Sequence, residues 1–167
     1  MFATMTRLLR HLLAADARNR FTAGDMDRIA AAIADGECRH HGEVCFAVES
    51  TLPLRQIVRG VQARARAEAA FGSLRVWDTA ANNGVLVYLL LADQRIEIVA
   101  DRGLHGLVSD AQWRGVCQLL EERLRSGEHA DAVIAAINAI SDLLVAHFPQ
   151  TPGTANADEL PDHPVYL

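Results

Sequence analysis

The chain has 167 residues, about the length of a single domain. Half of its residues are hydrophobic, 22% are charged and the formal net charge is −5. This balance excludes disordered and fibrous chains and argues against nucleic acid as the main partner. The longest unbroken apolar run, residues 85 to 92, is far shorter than the roughly 20 residues of a transmembrane helix, so we expect a cytoplasmic protein without a transmembrane segment.

An amphipathic helix is predicted within residues 1 to 20. The recurring apolar positions are Met5, Leu8, Leu9, Leu12 and Leu13. Their steps of three and four residues predict a leucine stripe that packs on its own domain, with Arg7, Arg10 and Arg18 largely facing water. The same stripe would also suit docking on a partner or peripheral contact with a membrane surface.

The following segments predict a helix, a strand and another helix. Thr22 and Asp25 form a capping box that begins a helix ending at Gly36. Residues 42 to 50 are apolar on both faces, which is typical of a strand that is buried on both sides. Pro53 then begins a long helix rich in arginine and alanine.

The middle of the chain predicts a hairpin. Residues 74 to 78 form either a short strand or an extended loop, and residues 79 to 84 are a turn by composition. Residues 84 to 92 are apolar on both faces and are expected at the centre of the sheet. Residues 95 to 100 alternate in polarity, so they are expected to pair with that strand nearer an edge.

Two helices and a tail complete the predicted order. Ser109 and Gln112 form a second capping box, and an apolar stripe predicts a last helix ending at His147. Residues 150 to 167 are a proline-containing tail without periodicity. The main domain, residues 21 to 149, is therefore expected to be an α/β fold with helices on both faces of a small mixed sheet.

Two arrangements of reactive side chains suggest known motifs but are not interpreted as functional sites. Cys117 and Arg123 have the separation used by cysteine-dependent phosphatases, but they lie in the middle of a predicted helix whose amides cannot cradle phosphate. A loose cysteine and histidine set matches no common zinc spacing. Its members are Cys38, His40, His41 and Cys45.

Oxygen-bearing side chains meet where the predicted hairpin begins and ends. Asn82 and Asn83 precede its first strand and Asp101 follows its second, so pairing brings them together. If residues 74 to 78 are a strand parallel to residues 42 to 50, the same edge gains Glu49, Ser50 and Asp78. That pocket would suit a hard cation such as calcium or magnesium.

The other arrangement of the sheet divides these residues. If residues 74 to 78 are a loop and the two long strands are parallel neighbours, Glu49 lies at the opposite edge near Asp93. The pocket at the hairpin then keeps the two asparagines and Asp101, with His41 and Glu43 as neighbours.

Several segments, read in order, resemble the TPM domain family. They are GEVCFAVES at residues 42 to 50, VWDTAANNGVLVYLLLADQRIEIVADRGL at residues 76 to 104, Trp113, AHFP at residues 146 to 149 and the tail ELPDHPVYL. The resemblance implies a three-layer α/β/α sandwich, Rossmann-like in appearance without the dinucleotide fingerprint. Some relatives bind calcium or other divalent ions at acidic loop residues, and one relative is described as an acid phosphatase.

The resemblance, with the pocket above, leads to two functional hypotheses. The metal ligands carried over by position are Glu49, Asn82, Asn83, Asp93 and Asp101, and the pocket adds Asp78. The first hypothesis is a binding or protein quality-control module with a calcium or magnesium ion in an acidic cleft and a protein partner. The alternative is a weak metal-dependent acid phosphatase acting on phosphate esters, with the ion held by Glu49, Asp78 and Asp101.

Overall fold

A computed structural model describes residues 2–150 and 159–167 of the chain. Its sheet has four strands in the order β3-β2-β1-β4. The strands are β1 (Glu43–Glu49), β2 (Gly84–Leu90), β3 (Arg95–Ala100) and β4 (Val165–Tyr166). The pair β1 and β2 is parallel, β1 and β4 are parallel, and β2 and β3 form an antiparallel hairpin.

Helices cover both faces of the sheet. They are α1 (Phe2–Leu13), α2 (Ala17–Arg20), α3 (Ala23–Glu37), α4 (Leu54–Val58), α5 (Ala63–Ser73), α6 (Asp110–Arg125) and α7 (His129–His147). The larger core joins one face of the sheet to α3, α6 and α7, and the smaller core joins the other face to α4 and α5. Every residue of β1 and β2 is buried, which confirms the prediction of two strands that are apolar on both faces.

The capping boxes at the start of α3 and α6 are both present. Thr22 Oγ1 accepts from the Asp25 N–H, and Ser109 Oγ accepts from the Gln112 N–H. The prediction that α3 ends at Gly36 is wrong, since the helix runs to Glu37. Gly36 is instead a close-packing position, where a Cβ would collide with the Ser141 side chain of α7.

The structure settles the open choice for residues 74 to 78, which are turns and not a strand. The helix predicted after Pro53 is interrupted where Gly60 takes a φ of +71°, so it forms the two helices α4 and α5. In the tail, β4 pairs with β1 at Ala47↔Val165, which no periodicity had indicated, and residues 151 to 158 lie outside the described part.

The predicted orientation of α1 is wrong. The Arg7 side chain is 13% exposed and bonds to Asp93, whereas Leu12 and Leu13 are 70% and 82% exposed. Only Leu8 of the leucine stripe packs against the smaller core in the described structure. A long-range ion pair, rather than apolar burial, therefore decides which side of α1 faces the domain.

Among the described helices, α7 alone has the length and hydropathy that a membrane span requires. It packs against α3 and α6, and its buried residues include Val133, Ile137, Ile140 and Leu144. This packing is typical of the core helix of a domain.

Candidate functional site at the edges of the sheet

The six predicted metal ligands lie at different places around the sheet. Asn82, Asn83 and Asp101 lie at the edge where β1 and β2 begin, which we call the amino edge. Glu49 and Asp93 lie at the carboxyl edge, where β1 and β2 end. The two edges are separated by the length of β1, about 20 Å for seven residues.

Asp78 lies in the turn before β2, next to Thr79, whose carbonyl and hydroxyl accept from the Asn82 and Asn83 N–H groups, but its side chain is used elsewhere. Its carboxylate lies 3.3 Å from the Arg75 guanidinium, and both side chains are at least half exposed. A single ion cannot be bound by Glu49 and Asp101 together across the length of a strand, so the three-carboxylate centre of the phosphatase hypothesis does not form.

At the amino edge, asparagine side chains organise the turn that precedes β2. Asn83 is fully buried, and its Nδ2 donates to the His41 carbonyl at 2.8 Å. Asn82 adopts a φ of +52°, and its Oδ1 accepts from Arg102 Nε at 2.9 Å. Gly84 follows because a Cβ there would collide with the Val76 carbonyl.

Two oxygens at the amino edge are buried without a hydrogen-bond partner in the described structure. They are Oδ1 of Asn83 and Oδ2 of Asp101. The other carboxylate oxygen of Asp101 caps the following 3-10 turn by accepting from the Arg102 N–H at 2.7 Å. An unpartnered buried oxygen is costly, so these two atoms are suited to accept a donor or a cation.

At the carboxyl edge, Glu49 is neutralised by a buried network. Its carboxylate accepts from Arg66 Nε at 2.8 Å and from the Tyr88 hydroxyl at 2.5 Å. Its side chain is only 4% exposed. Both partners are committed to this carboxylate, so Glu49 is a structural ion pair that holds α5 against the sheet.

Asp93 is neutralised in the same way. It accepts from Arg7 at 2.6 Å and lies 3.2 Å from His11 Nε2. His11 Nδ1 accepts from the Leu52 N–H, which places the ring proton on Nε2, facing Asp93. Burial would raise the pKa of Asp93, but the hydrogen bond and charge of Arg7 outweigh burial and hold this pKa below its usual value.

The sequence analysis placed Glu43 at the amino edge but missed two carboxylates near it, Glu37 and Asp162. Glu37 at the end of α3 lies near Glu43 and Asp162, and its Oε1 accepts from the Val44 N–H at 2.9 Å. Burial raises the pKa of Glu37 to about 9, and both neighbouring carboxylates add to this shift. Glu37 is therefore protonated at neutral pH, and its carboxyl hydrogen-bonds to Asp162.

A signal in the sequence could also have shown that Glu43 is buried and needs hydrogen-bond partners. Glu43 begins a strand that is apolar on both faces, so its carboxylate had to be buried with it. In the structure it accepts from the N–H groups of Glu159 and Leu160 in the tail, at 3.4 and 3.3 Å. No sequence pattern connected Asp162 to Glu37, because the two residues lie far apart in the chain.

A cavity of about 390 Å³ lies beside β3, between that strand, α6 and the start of α5. Leu104 and Val108 contribute apolar surface. The polar and aromatic lining consists of Arg64, Glu97, Asp101, Asp110, Trp113 and Arg114. Burial raises the pKa of the Cys117 thiol in the same lining, so this thiol is protonated and a poor nucleophile.

The free edge of β3 contributes main-chain groups to this cavity. The Asp101 N–H donates to the Gly84 carbonyl, so Gly84 and Asp101 are a hydrogen-bonded pair of the antiparallel β2–β3 ladder. The next pair, Val85 and Ala100, is then a pair without hydrogen bonds between the two strands. Because bonded and non-bonded pairs alternate, the N–H and C=O groups of Ile98 and Ala100 point away from β2. Arg64 Nη1 accordingly donates to the Ile98 carbonyl at 2.6 Å.

The sheet order and the two layers of helices define the class of protein, an α/β/α sandwich in which three parallel strands are extended by one antiparallel edge strand. The TPM domain family matches residues 14–143, and the chain belongs to this family. Among solved structures, the NMR structure of BA42 protein from the psychrophilic bacterium Bizionia argentinensis is similar, with a TM-score of 0.77 and 26% identity. The similarity covers 87% of this chain and 94% of that chain.

A comparison with curated proteins found no match. The family resemblance and the three-layer fold predicted from the sequence are both confirmed. The resemblance also implied a site for a divalent ion. In the described residues, no three histidine, cysteine, aspartate or glutamate side chains are grouped so that they could hold a metal ion. The six predicted ligands therefore do not fit one ion, and what remains at the amino edge is the two unpartnered oxygens.

Proposed function

We propose that this TPM domain is a non-catalytic binding module that takes up an extended polypeptide segment along the free edge of β3. The observation that carries the proposal is the outward direction of the Ile98 and Ala100 main chain inside the cavity beside β3. An edge strand with free main-chain groups is a template for an added strand. The carboxyl-edge acids are neutralised by arginines and do not offer comparable ligand groups.

The walls of the cavity suit a peptide. Main-chain hydrogen bonds along β3 would supply affinity without sequence preference, and alternate side chains of the segment would meet the walls. Trp113 and Leu104 offer apolar contact, while Arg114 and Asp110 offer charges of both signs. Such a mixture favours amphipathic segments, which unfolded or partly unfolded proteins expose, and this agrees with a quality-control role.

Arg64 controls access to this edge. Its guanidinium donates to the Ile98 carbonyl, the group that an incoming strand would use. The Arg64 side chain is about half exposed and also contacts Glu68, so it can leave the edge without being desolvated. A segment that binds must displace the Arg64 guanidinium from the Ile98 carbonyl. This requirement disfavours unspecific pairing of β3 with strands of other chains.

The test uses proline on the edge strand. Ala100→Pro removes an N–H that points away from β2, so the fold is retained while strand addition is blocked. Short random peptides would be screened by the fluorescence of Trp113 in a Trp77→Phe background, which leaves one tryptophan. Peptides that bind the parent are expected to bind Ala100→Pro about five- to tenfold more weakly, since at least one main-chain hydrogen bond is lost.

Ala100→Ser is the matched control, because it keeps the N–H and changes the side chain slightly. It is expected to bind as the parent does. Undiminished binding by a folded Ala100→Pro variant would contradict strand addition, as would a peptide screen without a single binder.

A second function, weak binding of a calcium or magnesium ion at the amino edge, is supported by the unpartnered oxygens of Asn83 and Asp101. Oxygen is the ligand atom that both ions take, but one carboxylate is a small charge for tight binding. Calcium titration followed by backbone NMR would test it. Shifts confined to residues 79 to 84 and 101 to 103, and lost in Asp101→Asn, would support the site, and unperturbed shifts there would exclude it.

No comparable observation favours the phosphatase alternative. Its proposed ligands lie at opposite edges of the sheet, and the histidine of the cavity, His105, is not paired with an acid in the described structure. Turnover of an aryl phosphate that disappears in Asp101→Ala would restore this alternative.

A further inference from the structure

The outward face of α1 is apolar. Its exposed side chains include Met5, Leu9, Leu12 and Leu13, each more than half exposed. The neighbouring helix α4 adds Leu54 and Val58, which are 61% and 67% exposed. Two adjacent helices that both expose large apolar residues mark an interaction surface rather than scattered exposure.

Polar contacts along the inner side of α1 fix this orientation. Arg7 donates to Asp93 and to the Val61 carbonyl, and His11 accepts from the Leu52 N–H. These contacts lie on both sides of α4 in the chain, so α1 runs antiparallel alongside that helix. Turning the leucines inward would break all of them, and the stripe is therefore held outward.

An arginine-lined cavity lies directly beside the stripe. Its volume is about 410 Å³, and it is lined by Arg7, Arg10, Arg64 and Arg95, with Asp93 and Glu97. Arg10 belongs to α1 and is half exposed, about 60° around the helix from Leu13. The apolar surface and the basic cavity are thus two parts of one face.

The sequence around this face carries positive charge although the whole chain is acidic. Neither residues 1 to 15 nor residues 50 to 67 contain an aspartate or glutamate. Arg55 and Arg59 on and after α4 are exposed, and neither has an ion pair within the described structure. The formal charge of −5 therefore resides elsewhere on the molecule.

We propose that α1, α4 and this arginine cavity form a membrane-facing surface that binds anionic phospholipid. Amphipathic helices with leucine on one face and arginine at its border lie in the lipid headgroup region, with the apolar side chains entering the acyl boundary. Phosphate groups of the lipid would meet Arg10 and Arg95, and the acidic remainder of the chain would face away from the negative bilayer.

Charge complementarity favours this occupant over a second copy of the chain. A copy would bring its own arginines against those of the first molecule, and like charges at an interface are repulsive. An anionic bilayer instead satisfies the leucines and the arginines at the same time.

The experiment is co-sedimentation of the full chain with vesicles. Binding to vesicles of mixed phosphatidylglycerol and phosphatidylcholine is expected, with binding to pure phosphatidylcholine at least about tenfold weaker. Leu13→Glu is expected to weaken binding about tenfold or more, because it places a carboxylate in the inserted face. Arg10→Gln is expected to weaken binding roughly fivefold and to reduce its salt dependence.

Leu107→Glu is the matched control, because Leu107 is also an exposed leucine, with 44% of its surface accessible. It lies at the amino edge, in the turn after the 3-10 helix that follows β3. It is expected to bind vesicles as the parent does. The proposal is overturned if anionic vesicles do not bind the chain, or if Leu13→Glu and Leu107→Glu bind equally. Sedimentation that shows a dimer abolished by Leu13→Glu, without vesicle binding, would instead assign the surface to contact between copies.

Discussion

Buried acids at the two edges of the sheet are neutralised in different ways. At the carboxyl edge, Glu49 and Asp93 each have an arginine within 2.8 Å and a second hydrogen-bonding side chain. At the amino edge, Glu37 lies among other carboxylates and holds a proton instead. The same residue type is thus a salt-bridge anchor at one edge and a neutral hydrogen-bonding group at the other.

Acidic residues at strand ends are therefore not equivalent candidates for metal ligands. An acid that already has an arginine must lose that partner before it can bind a cation, whereas a protonated acid must lose a proton. Among the predicted ligands, only Asn83 and Asp101 retain a buried oxygen without a partner in the described structure. Mutations at the two edges should therefore differ in how much they change the free energy of unfolding and in how that change depends on pH.

The largest effect is expected from breaking the Glu49 network. Arg66→Met would leave the Glu49 carboxylate buried with only Tyr88 as a partner. We expect the free energy of unfolding in urea to fall by about 3 kcal/mol, because removing one partner of a buried pair leaves an uncompensated charge. Arg59→Met, at an exposed arginine, is the control, and an equally small change in both variants would show that the pair is not an anchor.

The next largest effect is a pH dependence at the amino edge. Glu37 has a pKa of about 9 in the folded chain and 4.5 as its usual value, so between these values the folded state holds more protons. The free energy of unfolding therefore falls as pH rises, by at most about 1.4 kcal/mol per pH unit. Glu37→Gln should remove this part of the slope.

The measurement is urea unfolding between pH 7.5 and 9. The buried His40, whose pKa is lowered to about 4, contributes only below this window, since its stabilisation is lost as pH falls. Glu122→Gln, an exposed substitution on α6, should keep the parental slope. If the free energy of unfolding changes with pH by the same amount in the parent and in Glu37→Gln, Glu37 is ionised in the folded chain.

A smaller effect is expected at Asp93. Arg7→Ala removes the hydrogen bonds to Asp93 and to the Val61 carbonyl, while His11 stays in place. We expect a loss of about 2 kcal/mol, typical of hydrogen bonds to a charged group, together with faster proteolysis of α1. Arg10→Ala, 3.9 Å from the same carboxylate and half exposed, should change stability much less.

The smallest effect is expected at Asp78. Its pair with Arg75 is exposed, so Asp78→Ala should change the free energy of unfolding by less than about 0.5 kcal/mol. A calcium response that is unchanged in this variant would agree with the exposed pairing of Asp78 with Arg75. A loss of that response would bring Asp78 back into the cation site.

Local signals in the sequence predicted local structure well. The capping boxes at Thr22 and Ser109 and the doubly apolar strands β1 and β2 needed no distant partner to be interpreted. The loop arrangement of residues 74 to 78 was one of two predicted alternatives. It placed Glu49 beside Asp93, as the structure does.

Features that depend on distant partners could not be predicted. The orientation of α1 follows from Arg7 and Asp93, which are 86 residues apart. The protonated Glu37 depends on Asp162 in a tail without periodicity, and β4 has only two residues. The cavity beside β3 arises from the packing of α5 and α6 around an edge strand, which no single segment encodes.

Hydrogen–deuterium exchange at single amides of β3 tests strand addition most directly. The N–H groups of Glu97 and Val99 face β2 and should be protected with or without peptide. Those of Ile98 and Ala100 point outward and should exchange quickly in the free chain and slowly when a peptide is bound. Protection that stays the same at both outward amides, while the peptide is bound, would contradict the account.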